Sequence, residues 1–181
     1  MATVNLYPNG TDSNNFTLST GSDAHTLVRD DASTPAGDSN YLSATASGKT
    51  CMLNLDDFTQ EHSSIDGVQI VLRAGNGGRT ENYDIETKLM PAGIGAAYYT
   101  ESTGPENANR FYLTHTFTNR TTTDGSTAWN NTLIDALRLY VKLDAHSGGT
   151  FKFTQAYVIV TYTEPVATDN AIFFGTNFWD L

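Results

Sequence analysis

Histidines come first among residues that could do chemistry, because imidazole binds metals and carries protons near neutral pH. The chain has His25, His62, His115 and His146. None lies two or four residues from another histidine, and none has a cysteine at a zinc-binding spacing. We therefore predict no metal site at these residues. His115 shares a predicted strand face with Phe111, Leu113 and Phe117, so we expect it in the core or at its rim.

Acidic residues offer a second possible chemistry. Asp30 with Asp31, and Asp56 with Asp57, could bind calcium, but they lack the alternate-position spacing of a calcium loop. We interpret them as solvated loop charge.

A catalytic constellation is not visible in the sequence either. Glu81, Asp84 and Glu86 do not define a glycosidase pair, since the separation of their carboxylates cannot be read from sequence. The Gly-x-Ser-x-Gly, phosphate-loop and Gly-x-Gly-x-x-Gly motifs are missing. We predict a non-enzymatic protein with no catalytic residue, cofactor or metal.

Cys51 is the one cysteine of the chain, which excludes an intrachain disulfide. It lies in an apolar run with Met52, Leu53 and Leu55. We expect a small buried side chain there, since a reactive thiol needs exposure and a positively charged environment.

The C-terminal segment, residues 166–181, is apolar where a solvated tail would be polar. It follows Pro165, which closes the last predicted strand because proline cannot donate to a ladder. Six large apolar side chains are predicted to bind a partner: Ile172, Phe173, Phe174, Phe178, Trp179 and Leu181.

Burying one such side chain contributes about 1.5–3 kcal/mol, whereas ordering each residue costs about 1–2 kcal/mol. The two effects nearly balance over this segment. We therefore expect it to bind only a preformed groove, or together with its copies in an oligomer. Whether it docks on its own domain, a sister subunit or another protein is left open.

Charge and composition exclude some partners. The formal net charge is −10, and an acidic surface repels phosphate backbones and anionic lipids. We predict neither nucleic acid nor membrane as a partner. No apolar stretch has membrane-spanning length, and the N-terminus lacks the features of a signal peptide, which predicts synthesis in the cytoplasm.

The elements that must position these residues are mostly strands. Thr, Ser, Asn and Gly are abundant, as is typical of all-β proteins. Apolar patterns, most of them alternating, predict strands over residues 3–7, 65–74, 83–89, 110–117, 137–143 and 151–162, and the centre of the last, residues 157–160, is apolar on both faces. Residues 25–28 are a weaker strand candidate, and residues 40–46 and 49–55 form a predicted hairpin around Gly48.

One short helix is predicted over residues 129–136, capped by Asn130 or Asn131. Eight or nine strands without α/β alternation indicate an all-β, antiparallel two-sheet jelly-roll sandwich. It is predicted to span residues 1–165 as one domain, followed by the extended C-terminal tail at 166–181.

Several motifs, in order, resemble those of tailed-bacteriophage virion proteins. In that pattern a tryptophan, here Trp129, precedes a short helix that ends in an Asp-Ala-Leu step at residues 135–137. A final strand then ends in Val-x-Val-x-Tyr at residues 158–162. Residues 7–9 with 19–23, and the Ile-x-x-Val-Gln strand at 65–69, are also similar. Trp129 itself is expected to plug one end of the sandwich.

The resemblance covers residues 4 to 163 and implies a capsid decoration (cement) protein or another virion component. It implies that the protein is located in the virion and made in the host cytoplasm. The implied partner is the major capsid protein or another virion protein, and a homotrimer is the implied oligomer. Residues 166–181 lie outside the similar region.

A second hypothesis is a carbohydrate-binding or tail-fibre-associated β-sandwich module that contacts host glycans, since jelly rolls often present aromatic side chains to sugars. The candidates are Tyr98, Tyr99 and Tyr112. The alternative for each is ordinary packing with an exposed hydroxyl.

Overall fold

The computed structural model describes residues 1–29, 39–76, 82–92, 96–107 and 112–166. Within these ranges the chain forms twelve strands and two short helices. The strands are β1 (Ala2–Leu6), β2 (Pro8–Asn14), β3 (Thr17–Leu18), β4 (Leu42–Ala44), β5 (Thr50–Leu55), β6 (Ser64–Asn76), β7 (Asn82–Met90), β8 (Tyr99–Ser102), β9 (Glu106–Asn107), β10 (Leu113–Thr116), β11 (Arg138–His146) and β12 (Phe151–Thr163). The helices are α1 (Ala24–Val28) and α2 (Asn131–Asp135). Each helix has five residues, too few to cross a membrane.

Two antiparallel sheets pack face to face, which confirms the predicted jelly-roll sandwich. Sheet A has the order β10-β6-β12-β4-β3, and β1 pairs with the other end of β12. Sheet B has the order β2-β5-β11-β7-β8, and β9 pairs with the start of β7. Two 13-residue strands, β6 and β12, form the centre of sheet A.

The core lies between the sheets and follows the alternation in the sequence. Leu139, Val141 and Leu143 of β11 are fully buried, as are Val158 and Val160 of β12. Cys51 is also fully buried, which confirms its predicted role as a small core side chain. Alternation works here because successive strand side chains point to opposite faces of a sheet.

The predicted hairpin around Gly48 is wrong. Strand β4 pairs with β12 in sheet A, whereas β5 pairs with β11 in sheet B. Gly48 has a φ of +81° and donates its N–H to the carbonyl of Leu143 at 2.7 Å. The turn therefore carries the chain from one sheet to the other, and a glycine turn between two alternating segments does not distinguish this crossing from a hairpin.

Residues 25–28 were expected as a strand and instead belong to helix α1. Ala24, Leu27 and Val28 are buried, a spacing of three and four residues that places one helix face on the core. The backbone N–H of His25 donates to Thr11 Oγ1 at 2.9 Å. The predicted helix near residue 130 is confirmed as α2, whose cap residue Asn130 accepts a hydrogen bond from Leu133 N.

Candidate functional site

The outer edges of the two sheets face each other along one side of the sandwich. Strand β8 is the last strand of sheet B and β10 is the last of sheet A, and both line a cavity of about 580 Å³. After β10 the chain continues beside β6, where Arg120 bridges to Val68. A second cavity of about 460 Å³ lies between Tyr98, Tyr99 and residues 118–125. The two cavities share Thr118 and Arg120, and we call them together the edge groove.

Hydroxyl groups dominate the wall of the edge groove. Eight side chains supply them: Ser102, Thr103, Thr114, Thr116, Thr118, Thr121, Thr122 and Thr123. Thr116, Thr118 and Thr121 are exposed, and their hydroxyls make no hydrogen bond within the described part of the chain. A hydroxyl can donate one hydrogen bond and accept two, so this wall can bind polar groups of a ligand in either sense.

Two aromatic side chains form one end of the edge groove. Tyr98 packs edge-on against Trp129, with ring centroids 5.5 Å apart. The Arg120 guanidinium lies over Tyr99, 5.2 Å from the ring centroid. Trp129 is 4% exposed and donates its indole N–H to the carbonyl of Arg120 at 2.8 Å. The predicted structural role of Trp129 is thus confirmed, and it fixes the loop that carries Arg120.

Of the three tyrosines predicted as sugar-binding candidates, the sequence neighbours Tyr98 and Tyr99 both line the edge groove. Tyr112 lies elsewhere, with its ring 5.7 Å from the Arg73 guanidinium. Its neighbour Leu113 pairs with Ala74, whereas Arg120 pairs with Val68, six residues further along β6. At about 3.3 Å per residue this separation is about 20 Å.

The hydroxyl of Tyr99 is buried and has no hydrogen-bond partner among the described residues. Burial raises the pKa of Tyr99, as does the nearby Glu101 carboxylate, while Arg120 lowers it. The phenol therefore stays protonated and can donate. An unpartnered buried hydroxyl destabilises a fold unless water or a ligand satisfies it.

Glu101 connects the two sides of the edge groove. Its side chain is 9% exposed, and its Oε1 accepts a hydrogen bond from Arg120 Nε at 2.9 Å. Its Oε2 accepts another from the backbone N–H of Thr118, also at 2.9 Å. The ion pair neutralises Arg120, the one arginine among the described residues that line the two cavities.

His115 lies at the base of the larger cavity. A hydrogen bond of 2.9 Å joins its Nε2 to the hydroxyl of Tyr83, which is 1% exposed. Burial lowers the pKa of His115, and the Glu106 carboxylate opposes this effect. His115 is therefore neutral at pH 7, and the prediction of a core or rim histidine is confirmed. The side chain of Glu106 makes no hydrogen bond or ion pair within the described ranges.

A compact turn forms the far wall of the edge groove. Asp124 Oδ1 accepts hydrogen bonds from Ser126 N, Ser126 Oγ and Thr127 N at 2.9–3.1 Å. These hydrogen bonds hold the pKa of Asp124 well below its ordinary value, and the bond from Thr127 N has the largest effect. The carboxylate is therefore ionised at neutral pH and shapes the turn beside the tyrosines.

The predicted partner-binding residues Ile172, Phe173, Phe174, Phe178, Trp179 and Leu181 lie outside the described residues. Their docking role therefore stays a prediction, as does the domain boundary after residue 165. Asp30, Asp31, Glu81 and Phe111 also lie outside them.

Three of the remaining acidic candidates have local partners, among them Glu86, which forms an ion pair with Lys88 at 2.9 Å, whereas Asp57 is exposed. Asp56 forms an ion pair with Arg29 at 2.9 Å, and Asp84 accepts hydrogen bonds from Ser102 and Thr103. Within the ranges that the structure covers, no three His, Cys, Asp or Glu side chains converge as a metal site.

Sequence reasoning missed the loop at residues 117–125 and the Glu101–Arg120 ion pair. The run of three threonines at residues 121–123 is visible in the sequence, but no local pattern indicates that it faces the two tyrosines. The pairing of these segments depends on how the sheet edges meet.

Comparison with known proteins adds distant likenesses. No protein-family model matches the chain, and no curated protein matches its sequence. A xylan-binding module, CBM15, is similar at 10% identity and a TM-score of 0.42, over 91% of this chain and 99% of the other. A CBM36-1 domain of a multidomain xylanase from the hindgut metagenome of Trinervitermes trinervoides is similar at 10% identity and a TM-score of 0.37. The similarity covers 91% of this chain and 100% of the other.

The Stig cyclase Fisc from Fischerella sp. TAU gives 10% identity and a TM-score of 0.44, over 90% of this chain and 100% of the other. Likenesses this distant carry no argument about function.

Proposed function

We propose that this chain is a non-catalytic carbohydrate-binding β-sandwich module that binds a glycan in the edge groove. The observation that carries the proposal is the meeting of Tyr98 and Tyr99 with a wall of eight hydroxyl side chains. Aromatic rings pack against the C–H faces of sugars, and hydroxyls exchange hydrogen bonds with sugar hydroxyls.

The dimensions of the groove suit an extended ligand. Its described lining runs beside β6 from Arg73, the partner of Thr114, to Val68, the partner of Arg120, about 17 Å at the rise of a strand. Free hydroxyls at Thr116, Thr118 and Thr121 are spread along it. A chain of several sugar rings could therefore contact polar groups over most of this length.

Binding without cleavage is part of the proposal. Glycosidases use two carboxylates, one as acid and one as base or nucleophile. In the edge groove Glu101 is bound by Arg120 and Thr118, and Asp124 by its own turn. Among the described lining residues this leaves Glu106 as the carboxylate without a hydrogen bond, which supports a binding site over a catalytic one.

Calorimetry with neutral oligosaccharides tests the proposal. Tyr98→Ala should weaken binding about three- to tenfold, because it removes an aromatic contact of about 0.5–1.5 kcal/mol. The matched control is Tyr140→Ala, since Tyr140 lies on β11 under Lys88 and outside the groove. An equal loss of sugar affinity in both variants would contradict the proposal. So would the absence of binding by the wild-type protein at millimolar sugar.

We also propose, from the resemblance to virion proteins, that residues 166–181 dock the module on a capsid or another virion protein. Val166, three residues past the end of β12, is 85% exposed and is an apolar side chain that a partner could cover. Truncation after residue 165 should leave the domain folded and glycan binding unchanged but abolish particle binding. Wild-type occupancy by the truncated protein would contradict this second proposal.

A further inference from the structure

We infer that the edge groove selects uncharged glycans over acidic ones, and that Glu106 is the residue that sets this selectivity. The inference rests on the proposed glycan-binding function and names the class of ligand for the same groove. It depends on which charges line the groove and on how each of them is already engaged.

The described lining residues carry an excess of negative charge. They include the carboxylates of Glu101, Glu106 and Asp124, against the single guanidinium of Arg120. Three negative charges and one positive charge leave a formal charge of −2, with His115 neutral. A ligand carboxylate or sulfate that entered the groove would therefore meet a repulsive field.

The positive charge of Arg120 is already offset by an acidic partner within the fold. Its Nε donates to Glu101 at 2.9 Å, its guanidinium lies over the ring of Tyr99, and its backbone carbonyl accepts from Trp129. Recruiting its charge for a ligand would leave the nearly buried Glu101 carboxylate unpaired, which is costly. The positive charge of Arg120 in the groove is therefore already paired with Glu101.

Glu106, unlike Arg120, has a charged group that no described residue pairs with. It is half-buried at the cavity wall, on the two-residue strand β9 that pairs with β7 beside Tyr83. No ion pair or hydrogen bond engages its carboxylate within the part of the chain that the structure describes. An uncharged sugar can donate its hydroxyls to this carboxylate, whereas a uronic acid brings a second negative charge to the same wall.

The test uses matched oligosaccharides that differ only in charge. Gluco-, manno- and galactohexaose are compared by calorimetry with their C6-carboxylate counterparts, first with the wild-type protein. We expect the neutral member of a pair to bind at least about tenfold more tightly. Raising the salt concentration should narrow this ratio, because the repulsion is screened.

Glu106→Gln should narrow the ratio of neutral to acidic affinity about three- to tenfold, because it removes one negative charge from the groove wall. Asp57→Asn is the matched control, since it removes one exposed negative charge away from the groove and should leave the ratio unchanged. Thermal unfolding of each variant checks that the fold is intact.

The outcomes distinguish a failure of the proposed selectivity from a failure of the proposed glycan-binding function. Equal or tighter binding of the acidic sugars by the wild-type protein overturns the selectivity while the proposed function stands. An unchanged ratio in Glu106→Gln, or a salt-independent ratio, overturns the role of Glu106. Failure of every hexasaccharide to bind overturns the proposed function, and this inference falls with it.

Discussion

Glu101 and Arg120 join the outer edges of the two sheets. Glu101 lies on β8 of sheet B, and Arg120 lies on the segment that continues β10 along sheet A. The carboxylate accepts from the guanidinium and from the backbone of Thr118, each at 2.9 Å. This contact closes the side of the sandwich across the middle of the edge groove.

Removal of the arginine should destabilise the protein. Arg120→Ala leaves a carboxylate that is 9% exposed without its counter-ion. We expect the free energy of unfolding to fall by about 1–3 kcal/mol, measured by urea denaturation, because a nearly buried charge loses its hydrogen bonds. Glu101→Gln in the Arg120→Ala background should recover part of the loss.

Lys142→Gln provides the comparison for this experiment. Lys142 pairs with Asp144 at the surface, where both side chains are about a third to a half exposed. Its removal should change the free energy of unfolding much less than Arg120→Ala does, because an exposed ion pair is screened by solvent. If the two variants lose the same stability, the Glu101 pair has no special role in joining the sheets.

Tyr99→Phe should separate stability from binding. The hydroxyl of Tyr99 is buried without a partner among the described residues, so its removal should leave the melting temperature unchanged or higher. Binding of a neutral oligosaccharide should weaken about three- to tenfold if the ligand hydrogen-bonds this hydroxyl. A large drop in melting temperature would mean that the hydroxyl is satisfied within the fold.

Stability should decrease as the pH falls below the ordinary histidine pKa. Burial lowers the pKa of His115 in the folded protein below its ordinary value of 6.5. Between these two pKa values the unfolded chain binds a proton that the folded protein does not, so acid favours unfolding. Urea denaturation from pH 7.5 to pH 5 should show this slope, and His115→Gln should flatten it. An equal slope in that variant would exclude His115 as its source.

Cys51 should resist thiol reagents in the folded protein. Burial raises the pKa of its thiol to about 12, and the side chain is fully buried. The thiolate is the reactive form, so a disulfide reagent at pH 8 should label the protein only in denaturant. Cys51→Ser should cost about 1–3 kcal/mol of stability, since it places a hydroxyl in apolar surroundings. Fast labelling of Cys51 without denaturant would show that the core around this thiol opens to solvent in the folded protein.

The two-sheet fold followed from local patterns. Alternation along β11 and β12 decided which side chains point inward, because strand geometry imposes a period of two. The two asparagines offered as caps, Asn130 and Asn131, located the start of α2 for a similar local reason, and it is Asn130 whose side chain accepts from a backbone N–H within the first turn. Helix α1 was missed because five residues are too short for a helical period to stand out.

By itself, the sequence determined which residues face the core, that Cys51 is buried, and that the chain forms an antiparallel sandwich, since these depend on neighbours along a strand. Only the tertiary structure decided that β4 and β5 belong to different sheets. It also decided that Tyr98 and Tyr99 meet residues 118–125, and that Glu101 pairs with Arg120. These contacts join segments about twenty residues apart on different sheets, so they arise from how the sheet edges are brought together, which no local pattern encodes.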